Sequence, residues 1–271
     1  MIRTVTFDAN TLEKATRPER CVGDPHQADY FVVHAALKDG RIKGYFSQTY
    51  CSLEGIERRE RPEVLAKTAV GSHSTSSNKQ AANITIEIRH HRPPLNDAYE
   101  KAVQAALGLG LRALRGPARW VDGLTRPDPD QSFYVIEPIE QVVAHREKAN
   151  EVAAAIEQRG VGRAVALKIG NEYNKLAGVT SDKPKLWLQG LAHAQTSAER
   201  TTVERAIAEW SDGDGIASHV GYGFDLFCSH DFGKSAGGPS IMNLENRAWL
   251  SKTYAVVFVT LSELAKSLTA G

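Results

Sequence analysis

Four acidic side chains, spread over the whole length of the chain, are the residues best suited to act together. Asp8 closes the opening run "IRTVTF", and Asp231 follows "DLFCS" near the other end. Glu54 lies in "SLEGIE", and Asp212 opens "DGDGIASHVGYG". If the first and last of these stretches are neighbouring strands of a parallel sheet, both aspartates stand at its carboxyl edge. Functional groups gather there, beside a topological switch point. Carboxylates brought together repel, and each raises the other's pKa unless a cation intervenes. A hard divalent ion is the natural remedy, and Mg²⁺ or Mn²⁺ suits carboxylates plus water. Each acid also has a plainer reading. Asp231 could cap a loop, Glu54 could offset a helix dipole, and Asp212 or Asp214 could be an N-cap with Ser211. Their joint occurrence in this order favours an acidic cluster.

The elements that must position them follow from the spacing of apolar residues. Residues 2–7 read as a first strand, "ADYFVVHAAL" as a helix stopped by Asp39-Gly40, and "RIKGYFS" as a second strand. Residues 50–66 read as a second helix with Glu54 near its start. Pro62 should break or kink it, because proline lacks a donor and clashes with the preceding turn. In the stretch 67–198, "GSHSTSSNKQ" reads as a polar, flexible loop and "NITIEIR" as a half-exposed strand. Residues 95–115, 139–158 and about 162–176 read as helices, with "GLTRPDPDQS" as a break. The tail reads as a helix over about 197–210 and a separate one over "DGDGIASHVGYG", with Asp212 at its N-terminus. A strand "DLFCS", a helix near 240–251, a strand "YAVVFVT" and a helix "LSELAKSL" follow. Strands alternating with helices predict a parallel sheet with crossovers. The expected fold is α/β, a three-layer α/β/α sandwich on a mostly parallel sheet. It forms one domain over 1–271, with 67–198 as an insertion or helical elaboration.

Bulk properties narrow the class without naming a partner. The 271 residues can bury a sizeable core, and 33 basic against 32 acidic residues leave a net charge of +1. Cys21, Cys51 and Cys228 are widely spaced with no CxxC pair, which argues against a disulfide framework or zinc knot and fits a reducing cytoplasm. "MIRTVTFDAN" lacks the apolar centre of a signal peptide, and no run approaches a membrane span. Two local basic patches stand out: Arg89, His90, His91 and Arg92, and then Arg112, Arg115 and Arg119. They read as solvated faces or as contacts to a phosphate backbone. Lys234, three residues after Asp231, is better placed to meet a phosphate. His219 and His230 flank the acids and read as core or loop histidines.

These residues, taken in order, resemble the PIN-domain nucleases over roughly residues 1–66 and 200–268. "FDAN" matches the family's opening Asp-x-Asn with Asp8 and Asn10, and Glu54 matches the glutamate of its early helix. "DGDGIASHVGYGFD" matches its later aspartate with Asp212, or less well Asp214, and "SHD" supplies Ser229 and Asp231. "VVFVTLSELAK" resembles the closing strand and helix, with Thr260-Leu261 where a proline is usual. The resemblance implies a metal-dependent endoribonuclease. In it Asp8, Glu54, Asp212 and Asp231 hold Mg²⁺ or Mn²⁺, and Asn10 and Ser229 orient carboxylates or waters. The implied substrate is single-stranded RNA, with Lys234 at a phosphate. A homodimer and an inhibitory, antitoxin-like partner are left open. Two alternatives remain. "FDANTL" with the late "DGDG" resembles haloacid dehalogenase-like phosphatases, although Asn10 stands where their general acid belongs. A PIN module that binds RNA without cutting it is the other.

Overall fold

The computed structural model describes residues 2–67, 69–78, 81–89, 96–117, 132–179, 186–233 and 239–270. In chain order the elements are β1 (Arg3–Phe7), α1 (Ala9–Thr16), α2 (Gln27–Lys38), β2 (Ile42–Ser47), α3 (Arg61–Ala66), β3 (Ala69–Asn78), β4 (Ala81–Arg89), α4 (Asp97–Gly108) and β5 (Arg112–Leu114). Then come α5 (Ile139–Gln158), α6 (Arg163–Leu176), α7 (Leu186–Gly190), α8 (Ser197–Tyr222), β6 (Leu226–Cys228), α9 (Leu244–Tyr254), β7 (Phe258–Val259) and α10 (Leu261–Thr269).

Five of these strands form one parallel sheet in the order β5-β2-β1-β6-β7. The chain builds outward from β1 through β2 to β5, then returns to the other side of β1 with β6 and β7. The reversal falls between β1 and β6, where the carboxyl ends of the strands leave a crevice. Phe7 is level with Cys228, so Asp8 and Ser229 leave the sheet side by side.

Helices cover both faces, as a parallel sheet requires, and the fold is compatible with a three-layer sandwich. Val5, Phe7, Leu226 and Cys228 point to one side and pack with Leu12, Val33 and Leu264 from α1, α2 and α10. Phe227 points to the other, against Ile216 of α8, Val152 of α5 and Leu250 of α9. A third cluster joins α3, α6, α7 and the first half of α8 through Val64, Leu65, Trp187 and Trp210. The segment 67–198 supplies α4 and β5 to the sheet and its first core, and α5 and α6 against α8.

Several elements differ from expectation, each for a local reason. The first strand is followed by α1, capped by Asp8, which the apolar spacing did not bring out. Residues 50–66 are not one helix: a π-type turn at Tyr50–Glu54 and a 3₁₀ turn at Arg58–Glu60 precede α3. Pro62 opens that helix instead of breaking it, since its missing N–H costs nothing in a first turn. The serine-rich stretch expected as a loop is β3, held by antiparallel pairing with β4. Residues 95–115 divide into α4 and β5, because Gly110 at φ +85° ends the helix and redirects the chain into the sheet. Tyr254 ends α9, and the last strand shrinks to Phe258–Val259. Most of "GLTRPDPDQS" lies outside the described residues. No described helix is long and apolar enough to cross a membrane.

The largest difference is α8, one 26-residue helix where two were expected. Gly213 and Gly215 do not interrupt it. A Cβ on Gly213 would lie 3.0 Å from the Cα of Gly162, and one on Gly221 only 2.7 Å from the carbonyl oxygen of His145. Gly213 and Gly221 are therefore points of close approach to the α5–α6 segment, and that packing offsets their poor helix propensity.

Candidate metal centre

Asp8 is placed by both strands that flank the switch point. Its N–H donates to the Cys228 carbonyl at 2.9 Å, and the Thr11 hydroxyl donates to the carbonyls of Asp8 and Cys228 at 2.9 Å each. Its carboxylate takes hydrogen bonds from Ala9 N–H at 2.8 Å, the Asn10 amide at 2.6 Å and the Ser229 hydroxyl at 2.6 Å. Asn10 also accepts from His230 N–H at 2.9 Å, so Asn10 and Ser229 knit β1 to the exit of β6 around one aspartate.

Glu54 arrives on the turn after β2. Buried Tyr50, Cys51 and Leu53 anchor that turn in the core. Arg61, only 3 % exposed, donates to the carbonyls of Glu54 at 2.6 Å and Ile56 at 2.9 Å. The Ser211 hydroxyl donates to the Glu54 carboxylate at 2.6 Å.

Asp212 comes from the interior of α8, not from a helix N-terminus as expected. Because α8 is continuous, the residue is aimed by helix packing and owes nothing to a terminal dipole. Asp8, Glu54 and Asp212 each offer one oxygen, and these atoms lie within 4.8 Å of one another. The three are half-buried. A cavity of about 10 Å³, lined by Asp8, Glu54, Ser47, Thr49 and Ser211 among others, lies beside them and has room for about one water.

The electrostatics follow from this crowding. Burial, then the neighbouring Asp8 charge, pushes Glu54 up to about 7, while Ser211, Arg61 and Arg58 pull the other way. Asp212 is raised well above the usual carboxylate range by burial and by Asp8, Glu54, Glu209 and Asp231. Asp8 is raised by burial and by Asp231, against the hydrogen bonds from Ser229, Ala9 and Asn10. Two carboxylates within 4.8 Å of each other repel by about 3 kcal/mol or more at an effective dielectric of about 20. Charging all three together is therefore costly without a cation.

The donor set fits a hard divalent ion. Oxygens on opposite sides of Mg²⁺ stand about 4.2 Å apart, and those across Ca²⁺ about 4.6–5.2 Å. The 4.8 Å limit accommodates either and does not select between them.

The other residues expected at the site are distributed around it. Asp231 stands at the rim, outside the group of three: its N–H donates to Ser229 Oγ at 3.0 Å, and its carboxylate accepts from Gly233 N–H at 2.7 Å. Its charge still reaches Asp8 and Asp212. Asp214 is buried and takes the Trp210 indole N–H at 2.8 Å. Lys234, His90, His91, Arg92 and Arg119 lie outside the described residues. Arg61 and Ser211 were not anticipated at Glu54. Ser211 entered only as a cap partner, and nothing in the charge run "RRERPE" marks one arginine as buried.

The chain matches no family model, no curated protein and no solved structure. Its function must be read from its own residues.

Proposed function

We propose that this chain is a metal-dependent hydrolase of phosphodiester bonds, an endoribonuclease acting on single-stranded RNA from a PIN-like three-layer domain. The observation that carries the reading is the convergence of Asp8, Glu54 and Asp212 at the switch point of a parallel sheet. The proposed ion is Mg²⁺ or Mn²⁺. It would supply an activated water and a counter-charge for the leaving oxygen. The three carboxylates would hold it, with Asp231 at the rim as a fourth acid reached directly or through water. Asn10 and Ser229 would fix the orientation of Asp8, as supporting hydrogen bonds do around metal ligands.

The Asn10 amide supports this over the phosphatase alternative. It donates to Asp8 at 2.6 Å, whereas a phosphomonoesterase of that type needs an acid there to protonate the leaving group.

Asp8→Asn tests the reading. It keeps the size of the side chain, so the fold should persist while Mn²⁺-dependent cleavage of unstructured RNA falls by more than 100-fold. That exceeds the roughly 10–100-fold typical of losing a supporting residue. Cleavage that persists undiminished in the variant would sink the assignment. Hydrolysis of a phosphomonoester but not of RNA would favour the phosphatase, and no turnover of either would favour a binding module.

A further inference from the structure

An apolar face lies at the end of the sheet farthest from the acidic centre. Its hollow is a groove of about 360 Å³ at the amino ends of β2 and β5, lined by Leu37, Ile42, Tyr45, Leu109 and Val135 among others. Ile136 forms part of one wall and is 77 % exposed. The chain then turns into α5, where none of residues 139–148 is buried. Ile139 and Val143 stand one turn apart there, 66 % and 48 % exposed, so a ridge adjoins the hollow. Exposed apolar residues scattered singly need no account, whereas a run of them beside a groove marks a contact surface.

This surface is held in shape from beneath. Glu137, between Ile136 and the start of α5, has a carboxylate that is only 5 % exposed and lies 2.8 Å from His145 Nδ1. The same carboxylate accepts the Tyr222 hydroxyl at 2.7 Å. The rings of His145, Tyr222, Phe224 and Tyr45 follow one another at centre distances of 4.2, 5.5 and 4.2 Å, which ties the ridge to the groove wall. The two parts carry opposite charge. Lys43 lines the groove and Lys38 adjoins it, while Glu140 and Glu147 flank Val143 on the ridge. All four are exposed, and none has an ion-pair partner among the described residues. Lys148, also on α5, is spent on Glu151 at 3.0 Å.

We propose that this face joins two copies of the chain, the ridge of each seated in the other's groove with Glu140 against Lys43. One surface that carries both an acidic apolar ridge and a basic apolar hollow can close on itself about a twofold axis, the commonest symmetry of homo-oligomers. A partner of another kind would use one half of that match, whereas a second copy uses both and makes each contact twice. The contact sits at the opposite end of the strands from Asp8 and leaves both acidic crevices clear.

Sedimentation velocity of the full chain over about 1–100 µM tests this. Wild type should form dimers, and Ile139→Asp should weaken them by more than about tenfold. Lys43→Glu and Glu140→Lys should each do the same, because like charges then face each other across the contact. Mixing these two variants in equal amounts should restore a dimer, since every contact between unlike chains again pairs opposite charges. Recovery is read from the same two proteins that fail alone, so a folding defect cannot imitate it. Wild type that stays monomeric at about 100 µM overturns the proposal and leaves the face to a different protein. Dimers indifferent to Ile139→Asp overturn it too, because they use another surface, and so does a mixture that fails to recover. No arm reads hydrolysis, so the result stands apart from the reading of the acidic centre.

Discussion

Glu209 and Asp212 lie one turn apart on α8, and the fold treats them in opposite ways. Glu209 is 7 % exposed and accepts Gly162 N–H at 2.8 Å and Ile241 N–H at 2.7 Å on one oxygen. Burial raises its pKa, but those bonds and one from Ser240 pull it back. It clamps the start of α6 and the segment before α9 to α8. The Asp212 carboxylate accepts no hydrogen bond among the described residues, and burial and the four neighbouring acids all raise its pKa. A carboxylate compensated by N–H donors is structural. One left facing other carboxylates is suited to a cation, and such perturbed groups in a cleft are candidates for a functional site.

That contrast can be broken at either residue, and the largest effect belongs to Asp212. Asp212→Asn should cut metal-dependent hydrolysis by more than 100-fold, as expected when a ligand itself is lost. It should also raise the thermal midpoint of the metal-free protein, because a neutral amide replaces an acid that must either repel its neighbours or hold a proton against its ordinary pKa. A variant both inactive and less stable would place Asp212 with Glu209 as a structural acid.

At Glu209 the pattern inverts. Glu209→Ala orphans two buried N–H groups, at about 1–3 kcal/mol each, and should lower the midpoint by roughly 5–15 °C for a chain of this size. Glu209→Gln keeps an acceptor oxygen and should cost far less. Thermal melts of the two variants check this, and equal losses would remove the clamp from the account.

Metal comes next in size. Mn²⁺ at about 100 times its dissociation constant should stabilise wild type by about 2.7 kcal/mol, or roughly 5–10 °C. Asp212→Asn should respond much less. No difference between them would place the bound ion elsewhere.

The pH dependence is the most diagnostic effect. Glu54 stands near 7 in the fold against an ordinary 4.5. Between these values the unfolded chain has already released the proton that the folded chain keeps, so the metal-free fold loses stability as pH rises through the window. Buried His219, pushed down to about 4 and paired with Thr6 at 2.9 Å, acts the other way. Its contribution is lost as pH falls from about 6.5 to about 4. Denaturant titrations of Glu54→Gln across pH 4–8 should therefore show the rising His219 trend without the falling Glu54 trend. An unchanged profile would mean that Glu54 titrates as an ordinary exposed carboxylate.

The sequence disclosed the ends of this architecture better than its middle. Asp8 and Asp231 were legible because each follows a short apolar run that could only be a strand, and β1 and β6 do pair. Glu54 was legible as an acid beyond the second strand. Its π-type turn was not, because that turn is held by Arg61 from a distance. Asp212 stood at a helix start because the linear reading divided α8 at about residue 210 and began a second helix at "DGDG". The close approach of Gly162 that gives Gly213 its purpose is long-range. The same limit hid β3, whose serine-rich strand is specified by its pairing with β4, and β5, which joins the sheet only because β2 offers it an edge.

The central claim is that Asp8, Glu54 and Asp212 together hold one divalent ion. Anomalous diffraction from a crystal soaked in Mn²⁺ near neutral pH tests it directly. A peak is expected within about 2–2.5 Å of a carboxylate oxygen from each of the three residues, lost when Asp212 is replaced by Asn. A saturating soak that leaves this position empty, or fills a site touching none of the three, would contradict it.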